Sequence, residues 1–127
     1  MAARIRKPRL VRAILIDAFK QEVREVQHNA NDYTDIYRLL SHPTMPVDCV
    51  TCITHELLPK REAIFVDDSG LLKPCHAFFR LPGYTQFIAG NGLILGMDRD
   101  GETEAAFSDV ADIRGITYFL WKNPDHE

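Results

Sequence analysis

Residues 10–17 read Leu-Val-Arg-Ala-Ile-Leu-Ile-Asp, a compact apolar run that closes on an acid. Its length is that of a largely buried strand rather than a helix. Residues 18–21 then form a turn. Residues 22–28, Glu-Val-Arg-Glu-Val-Gln-His, are ambiguous. Phe19, Val23 and Val26 fall at i, i+4 and i+7, so spacing alone predicts a helix. Against that, so short a segment makes a poor free helix, and a hairpin would cover one flank of the first strand.

The clearest helix follows. Tyr33, Ile36, Tyr37, Leu39 and Leu40 form an apolar face behind Asn31, Asp32 or Thr34 as N-cap, and Pro43 and Pro46 stop it. Residues 47–54 are rich in β-branched side chains, and residues 63–66 run into Asp67-Asp68-Ser69-Gly70, a strong turn signal. Both are read as strands, joined by a loop around residues 59–61. Leu93-Ile94-Leu95 makes a further strand between Gly92 and Gly96, closed by the turn Asp98-Arg99-Asp100-Gly101. Residues 107–113 predict a short helix capped by Ser108, and residues 116–121 have a strand's composition. The expected fold is α+β: a mainly antiparallel sheet, mixed pairing left open, with one principal helix packed on one face. There is no βαβ alternation, internal repeat or low-complexity tract.

Four blocks of residues carry a family resemblance. They are Ile14-Leu15-Ile16-Asp17 with Val23-Arg24-Glu25-Val26, then Ile36-Tyr37-Arg38-Leu39-Leu40, then Ile64-Phe65-Val66-Asp67-Asp68-Ser69-Gly70-Leu71-Leu72-Lys73, and finally Ile88-Ala89-Gly90-Asn91-Gly92-Leu93-Ile94-Leu95-Gly96. In this order they resemble the uncharacterised family of small phage and plasmid proteins known as the domain-of-unknown-function family numbered 3846. The resemblance covers residues 13–102. It implies that residues 23–26 are a strand, against the helical spacing, and it implies no activity. The basic leader, the cysteines and residues 116–121 depart from the family pattern.

Composition narrows the class. With 127 residues, the chain can bury roughly two-thirds of its unfolded surface, enough for one core. The domain expected is a single unit over residues 13–127, behind a flexible basic leader at 1–12. No apolar run approaches the ~20 residues of a membrane-spanning helix. Residues 13–16 are too short an apolar core for a signal peptide, so a cytoplasmic protein with no membrane partner is expected. Three cysteines, an odd number, argue against a disulfide framework.

The net charge of -3 conceals an asymmetry. Arg4, Arg6, Lys7, Arg9 and Arg12 make the leader purely basic, a candidate contact for nucleic-acid phosphates, although a solvated terminus is the simpler reading. Residues 98–112 carry six acids against one Arg and are read as a solvated loop and helix start.

Candidate chemistry is sparse. Cys49 and Cys52 form a C-x-x-C, with Cys75-His76 downstream, the elements of a tetrahedral zinc site. No glycine follows either cysteine to make a knuckle, and regular strand would send positions 49 and 52 to opposite faces. Buried thiols are the plainer reading, and a β-branched context does not suit redox chemistry. A strand rather than a helix follows Gly90-Asn91-Gly92, so the glycines at 90, 92 and 96 do not make a phosphate loop. They are read instead as sites of positive φ or close approach. Asp67 and Asp68, with Asp17, are read as turn formers before paired carboxylates. No metalloprotease His pairing and no nucleophile elbow is present, and no catalytic residue is assigned. Arg80 and Tyr84, beside the Pro82-Gly83 turn, with Asn91, are candidates for stacking on a small ligand.

The function these readings support is a small non-enzymatic accessory protein of a phage or mobile element. It would bind a host or viral macromolecule and self-associate through a sheet edge or an apolar face. A nucleotide-like ligand binder at Arg80, Tyr84 and Asn91 is one alternative. A zinc-stabilised module, with zinc as the sole cofactor considered, is another.

Overall fold

The structure, a computed structural model, describes residues 7–122. β1 (Leu10–Asp17) and β2 (Glu22–Asn29) form an antiparallel hairpin, from Leu10 opposite Asn29 to Asp17 opposite Glu22. Then come α1 (Thr34–Leu40), β3 (Val50–Ile53), β4 (Glu62–Asp67) and a 3-10 turn at Gly70–Leu72. These are followed by β5 (Ala77–Arg80), β6 (Ile88–Ala89), β7 (Gly92–Met97), β8 (Thr103–Glu104), α2 (Val110–Ile116) and β9 (Tyr118–Trp121). One sheet runs β2-β1-β7-β4-β3 with β8 beside β7, and a second runs β6-β5-β9. Every strand pair among the described residues is antiparallel. The fold is α+β, as the pattern of elements predicts, and no described helix is long and apolar enough to cross a membrane.

The large sheet is covered on both faces, which is why β1 reads as a continuous apolar run. Ala13 and Leu15 point to one side with Leu93 and Leu95 of β7, and meet Ile36 and Leu40 of α1. Ile14 and Ile16 point to the other side with Ile64, Val66 and Ile94, and meet Phe79 of β5, Leu81 just beyond it and Ile113 of α2. The helix thus lies on one face, and the small sheet and α2 lie on the other.

This double burial also resolves residues 22–28, which are strand and not helix. Val23 packs into the core on the small-sheet side, and Val26 into the core under α1. Their odd spacing sends them to opposite faces of one strand, and two cores receive them. The hairpin closes through Gln21, a non-glycine residue at φ 54. Asp17 Oδ1 accepts from the Lys20 N–H at 3.0 Å, and Asn91 Oδ1 accepts from the Ala18 N–H at 2.8 Å.

Three further expectations are corrected in detail. α2 lies at Val110–Ile116 rather than 107–113, with Asp109 in the N-cap position. Ser108 is not its cap, because the Ser108 N–H and hydroxyl both donate to buried Glu62. α1 has Tyr33 in its N-cap position with no side-chain cap, while Asp32 Oδ1 accepts from the Thr34 N–H and Oγ1–H just outside it. The last strand begins at Tyr118, two residues later than expected.

Candidate partner-binding groove

β3 is the last strand of the large sheet, so one of its edges has no described strand beside it. Backbone alternation fixes which groups that edge presents. The Asp68 N–H donates to the Cys49 carbonyl at 2.9 Å, and the register pairs Thr51 with Val66 and Ile53 with Ile64. Cys49, Thr51 and Ile53 therefore address β4, and Val50, Cys52 and Thr54 face away from it. The Thr54 carbonyl accepts from the Tyr84 hydroxyl at 2.7 Å. The outward N–H and C=O groups of Val50 and Cys52 have no backbone or side-chain partner among the described residues.

Beside this edge lies an open groove of about 800 Å³. Cys52, Ile53 and Thr54 form one wall and residues 83–89 the other, with Gly70, Leu71 and Leu72 also lining it. The far wall is pinned at Tyr84. Its hydroxyl holds Thr54, and its ring meets His55 edge-on at 4.9 Å. His55 Nδ1 accepts from the Leu57 N–H at 3.1 Å, so Nε2 carries the proton and donates to the Pro82 carbonyl. Burial pushes the Tyr84 phenol above its ordinary pKa. Gly83, at φ 90, supplies the left-handed turn that swings the loop back across the groove.

The rim is unusually apolar, with Leu71 65% and Leu72 89% exposed side by side. Large apolar side chains this open, next to an unpaired strand edge, make this the candidate interaction surface. The charges at the groove are acidic. Buried Asp67 is matched by Lys73, whose Nζ lies 2.7 Å from Oδ2 and also donates to the Pro46 carbonyl at 3.0 Å. The hydrogen bond to Asp67 and the nearby carboxylates hold the Lys73 ammonium above its ordinary pKa. Asp68 is exposed, with the Cys49 thiol 3.8 Å from its Oδ2. Glu56 stands beside Gly83, its Oε1 3.9 Å from where a Cβ on that glycine would lie. No lysine or arginine among the described residues lines the groove.

The residues singled out from the sequence are mostly dispersed. Of Arg80, Tyr84 and Asn91, only Tyr84 lines the groove. The Arg80 guanidinium sits over the rings of Phe87 and Tyr118, at 4.8 and 5.8 Å. Asn91 is buried and holds the hairpin turn. Cys49 and Cys52 are exposed rather than buried, and Cys75 donates from Sγ to the Ala77 carbonyl at 3.0 Å. Partial desolvation and the neighbouring Asp68 push the Cys49 thiol up, against the thiolate that a metal requires. His76 packs edge-on against Trp121 at 4.4 Å. No group of three or more His, Cys, Asp or Glu among the described residues is placed to hold a metal ion. Asp17, the third acid of the carboxylate set, is paired with Arg24 at 2.7 Å.

In the leader, Arg4 and Arg6 lie outside the described residues. The Lys7 carbonyl accepts from the Asn31 side chain at 2.6 Å, and Arg9 Nη2 donates to the Thr103 carbonyl at 2.9 Å. Arg12 lies within β1 and binds Glu25 together with the carbonyls of Ala106 and Ser108. Sequence reasoning missed the β3 edge and the paired leucines. The signal was present in Gly70-Leu71-Leu72, apolar where a turn is ordinarily polar. No family model, curated protein or solved structure matches the chain.

Proposed function

We propose that this chain is a non-enzymatic binding protein that takes an extended segment of a partner protein along the outer edge of β3. The observation that carries the reading is the open edge at Val50 and Cys52 beside a groove with two exposed leucines on its rim. Strand addition supplies affinity through main-chain hydrogen bonds and specificity through alternate side chains. An apolar residue of the incoming strand would cover Leu71 and Leu72, and a basic one would meet Asp68. The absence of a lining cation favours a neutral or basic peptide over a nucleotide, whose phosphates need positive charge. Placing such a protein among the small accessory proteins of phages and mobile elements rests on the order of the four residue blocks alone.

Selection of displayed random peptides on the intact chain tests the proposal. Peptides mixing apolar and basic residues are expected, and they should protect the Val50 and Cys52 amides from hydrogen exchange. The variant Cys52→Pro removes one outward N–H without touching the β4 ladder, and should abolish binding while the fold survives. Leu72→Asp should weaken it at least tenfold. Peptides that bind Cys52→Pro as well as the parent, or that leave both amides unprotected, would overturn the reading.

A further inference from the structure

The small sheet has an exposed edge of a different character. β9 pairs with β5 on one side, Tyr118 opposite Arg80 and Leu120 opposite Phe78, and no described strand lies on its other side. Its four residues, Tyr-Phe-Leu-Trp, carry no charge and no proline. Tyr118 is 56%, Leu120 40% and Trp121 48% exposed. The contrast with β2, the far edge of the large sheet, lies within the same chain. There Glu22, Arg24, Glu25 and Gln27 occupy the strand, and Arg24–Glu22 and Arg12–Glu25 ion pairs mark it with charge. Charge of that kind is how proteins keep an edge from pairing with another chain. β9 lacks that protection.

We infer that β9 pairs antiparallel with β9 of a second copy of this chain, about a two-fold axis at Leu120. The register follows from the backbone. The Lys122 N–H donates to the His76 carbonyl at 2.7 Å, so Tyr118, Leu120 and Lys122 direct their backbone groups to β5. Phe119 and Trp121 direct theirs outward. In an antiparallel pair only outward residues can exchange N–H···O bonds, so a centred two-fold pairing sets Phe119 opposite Trp121 of the second copy, and Trp121 opposite its Phe119. Leu120 then faces its own copy across the axis in a non-hydrogen-bonded pair.

Side chains agree with this register and identify the occupant as a second copy. Phe119 and Trp121 form an aromatic cross-strand pair on one face. On the other, Phe78 and Leu120 are neighbours across β5 and β9. The axis extends them into an apolar row of Phe78, Leu120 and the same two residues of the copy. Lys122 falls opposite Tyr118 instead of opposite itself, so the two Lys122 ammonium groups do not meet across the axis. The two three-stranded sheets become one of six strands. β9 lies apart from the β3 groove, so this inference stands or falls separately from the peptide-binding reading.

Native mass spectrometry of the intact chain should show a species of twice 14.5 kDa. Leu120→Lys, at a half-exposed position, sets two ammonium groups together at the axis and should give a folded monomer by circular dichroism and native mass. In a Cys49→Ser, Cys52→Ser, Cys75→Ser background, Leu120→Cys should cross-link quantitatively under mild oxidation. Opposed Cα atoms in a non-hydrogen-bonded pair lie about 4.5 Å apart, within disulfide reach. Tyr118→Cys in the same background should stay uncross-linked. A monomeric parent, a dimer that survives Leu120→Lys, or cross-linking at 118 in place of 120 would each overturn the proposal.

Discussion

Glu62 and Ser108, 46 residues apart, are joined by two hydrogen bonds: the Ser108 N–H donates to Oε2 at 2.8 Å and its hydroxyl donates to Oε1 at 2.6 Å. The Phe107 N–H adds a third at 2.6 Å. Glu62 is 1% exposed at the start of β4, so a single buried carboxylate ties the segment between β8 and α2 to the large sheet. Three donors converge on one anion in a site of low polarity, the arrangement that makes a hydrogen bond strong. Glu62→Ala leaves all three unmet and is expected to cost about 2–3 kcal/mol. Urea unfolding should show a lowered midpoint with an unchanged slope. A loss below about 0.5 kcal/mol would mean that these donors find water instead.

His28 and Asp35 make stability depend on pH in two separate windows. His28 is buried in β2, with Nδ1 3.1 Å from Asp35 Oδ2. Burial lowers its pKa below the ordinary 6.5, and the opposing pull of Asp35 does not overcome it. The unfolded chain therefore binds a proton at this site before the folded chain does. Stability is expected to fall as pH drops through 6.5, and to level off below the folded value. For Asp35, burial raises the pKa, but hydrogen bonds from Arg38 and from the Asn29 N–H outweigh it, and the net shift is downward from 3.8. Its contribution is present above 3.8 and is lost as pH falls through the depressed value. Tm measured from pH 7.5 downward should fall near 6.5 in the parent, and His28→Asn should remove that first step while leaving the second.

Gly92 is required by close approach. A Cβ built on it would lie 2.7 Å from Phe79 Cζ and 3.2 Å from Ile64 Cγ2, and both side chains are fully buried between the sheets. A side chain added at this position therefore forces one of these two buried groups to shift. Gly92→Ala is expected to destabilise by about 1–3 kcal/mol through overpacking. Phe79→Leu in the same chain should relieve part of that cost, a non-additivity that a double-mutant cycle reads directly.

Lys73 and Asp67 form the ion pair at the acidic end of the groove, and Asp67 is the buried partner. Lys73→Met leaves the carboxylate desolvated and unpaired, and should cost about 2–3 kcal/mol. Adding Asp67→Asn should recover part of the loss, because the remaining amide carries no charge. If the double variant is no more stable than Lys73→Met, the lysine contributes through its aliphatic stem instead.

Local signals in the chain were reliable where one segment's own physics decides the outcome. The apolar run at residues 10–17, the proline stop after α1, the Asp-Asp-Ser-Gly turn and the glycine spacing before β7 each became the element they predict. Residues 22–28 were misread by spacing because Val23 and Val26 serve two different cores, a fact that does not exist until both faces of the sheet are covered. Ser108 looked like a helix cap because its true acceptor, Glu62, is 46 residues away. Arg80, Tyr84 and Asn91 lie close in sequence yet separate, since one stacks on rings, one lines the groove and one holds a turn.

By itself, then, the sequence determined the class of fold, the principal strands and the placement of the turns, because hydrophobic periodicity and turn chemistry act over a few residues. Tertiary structure alone decided which strand edges stay unpaired among the described residues. The outward N–H groups of Cys52 and Trp121 look like any others in the sequence. They stand unpaired only because β4 and β5 occupy one side of their strands and nothing among the described residues occupies the other.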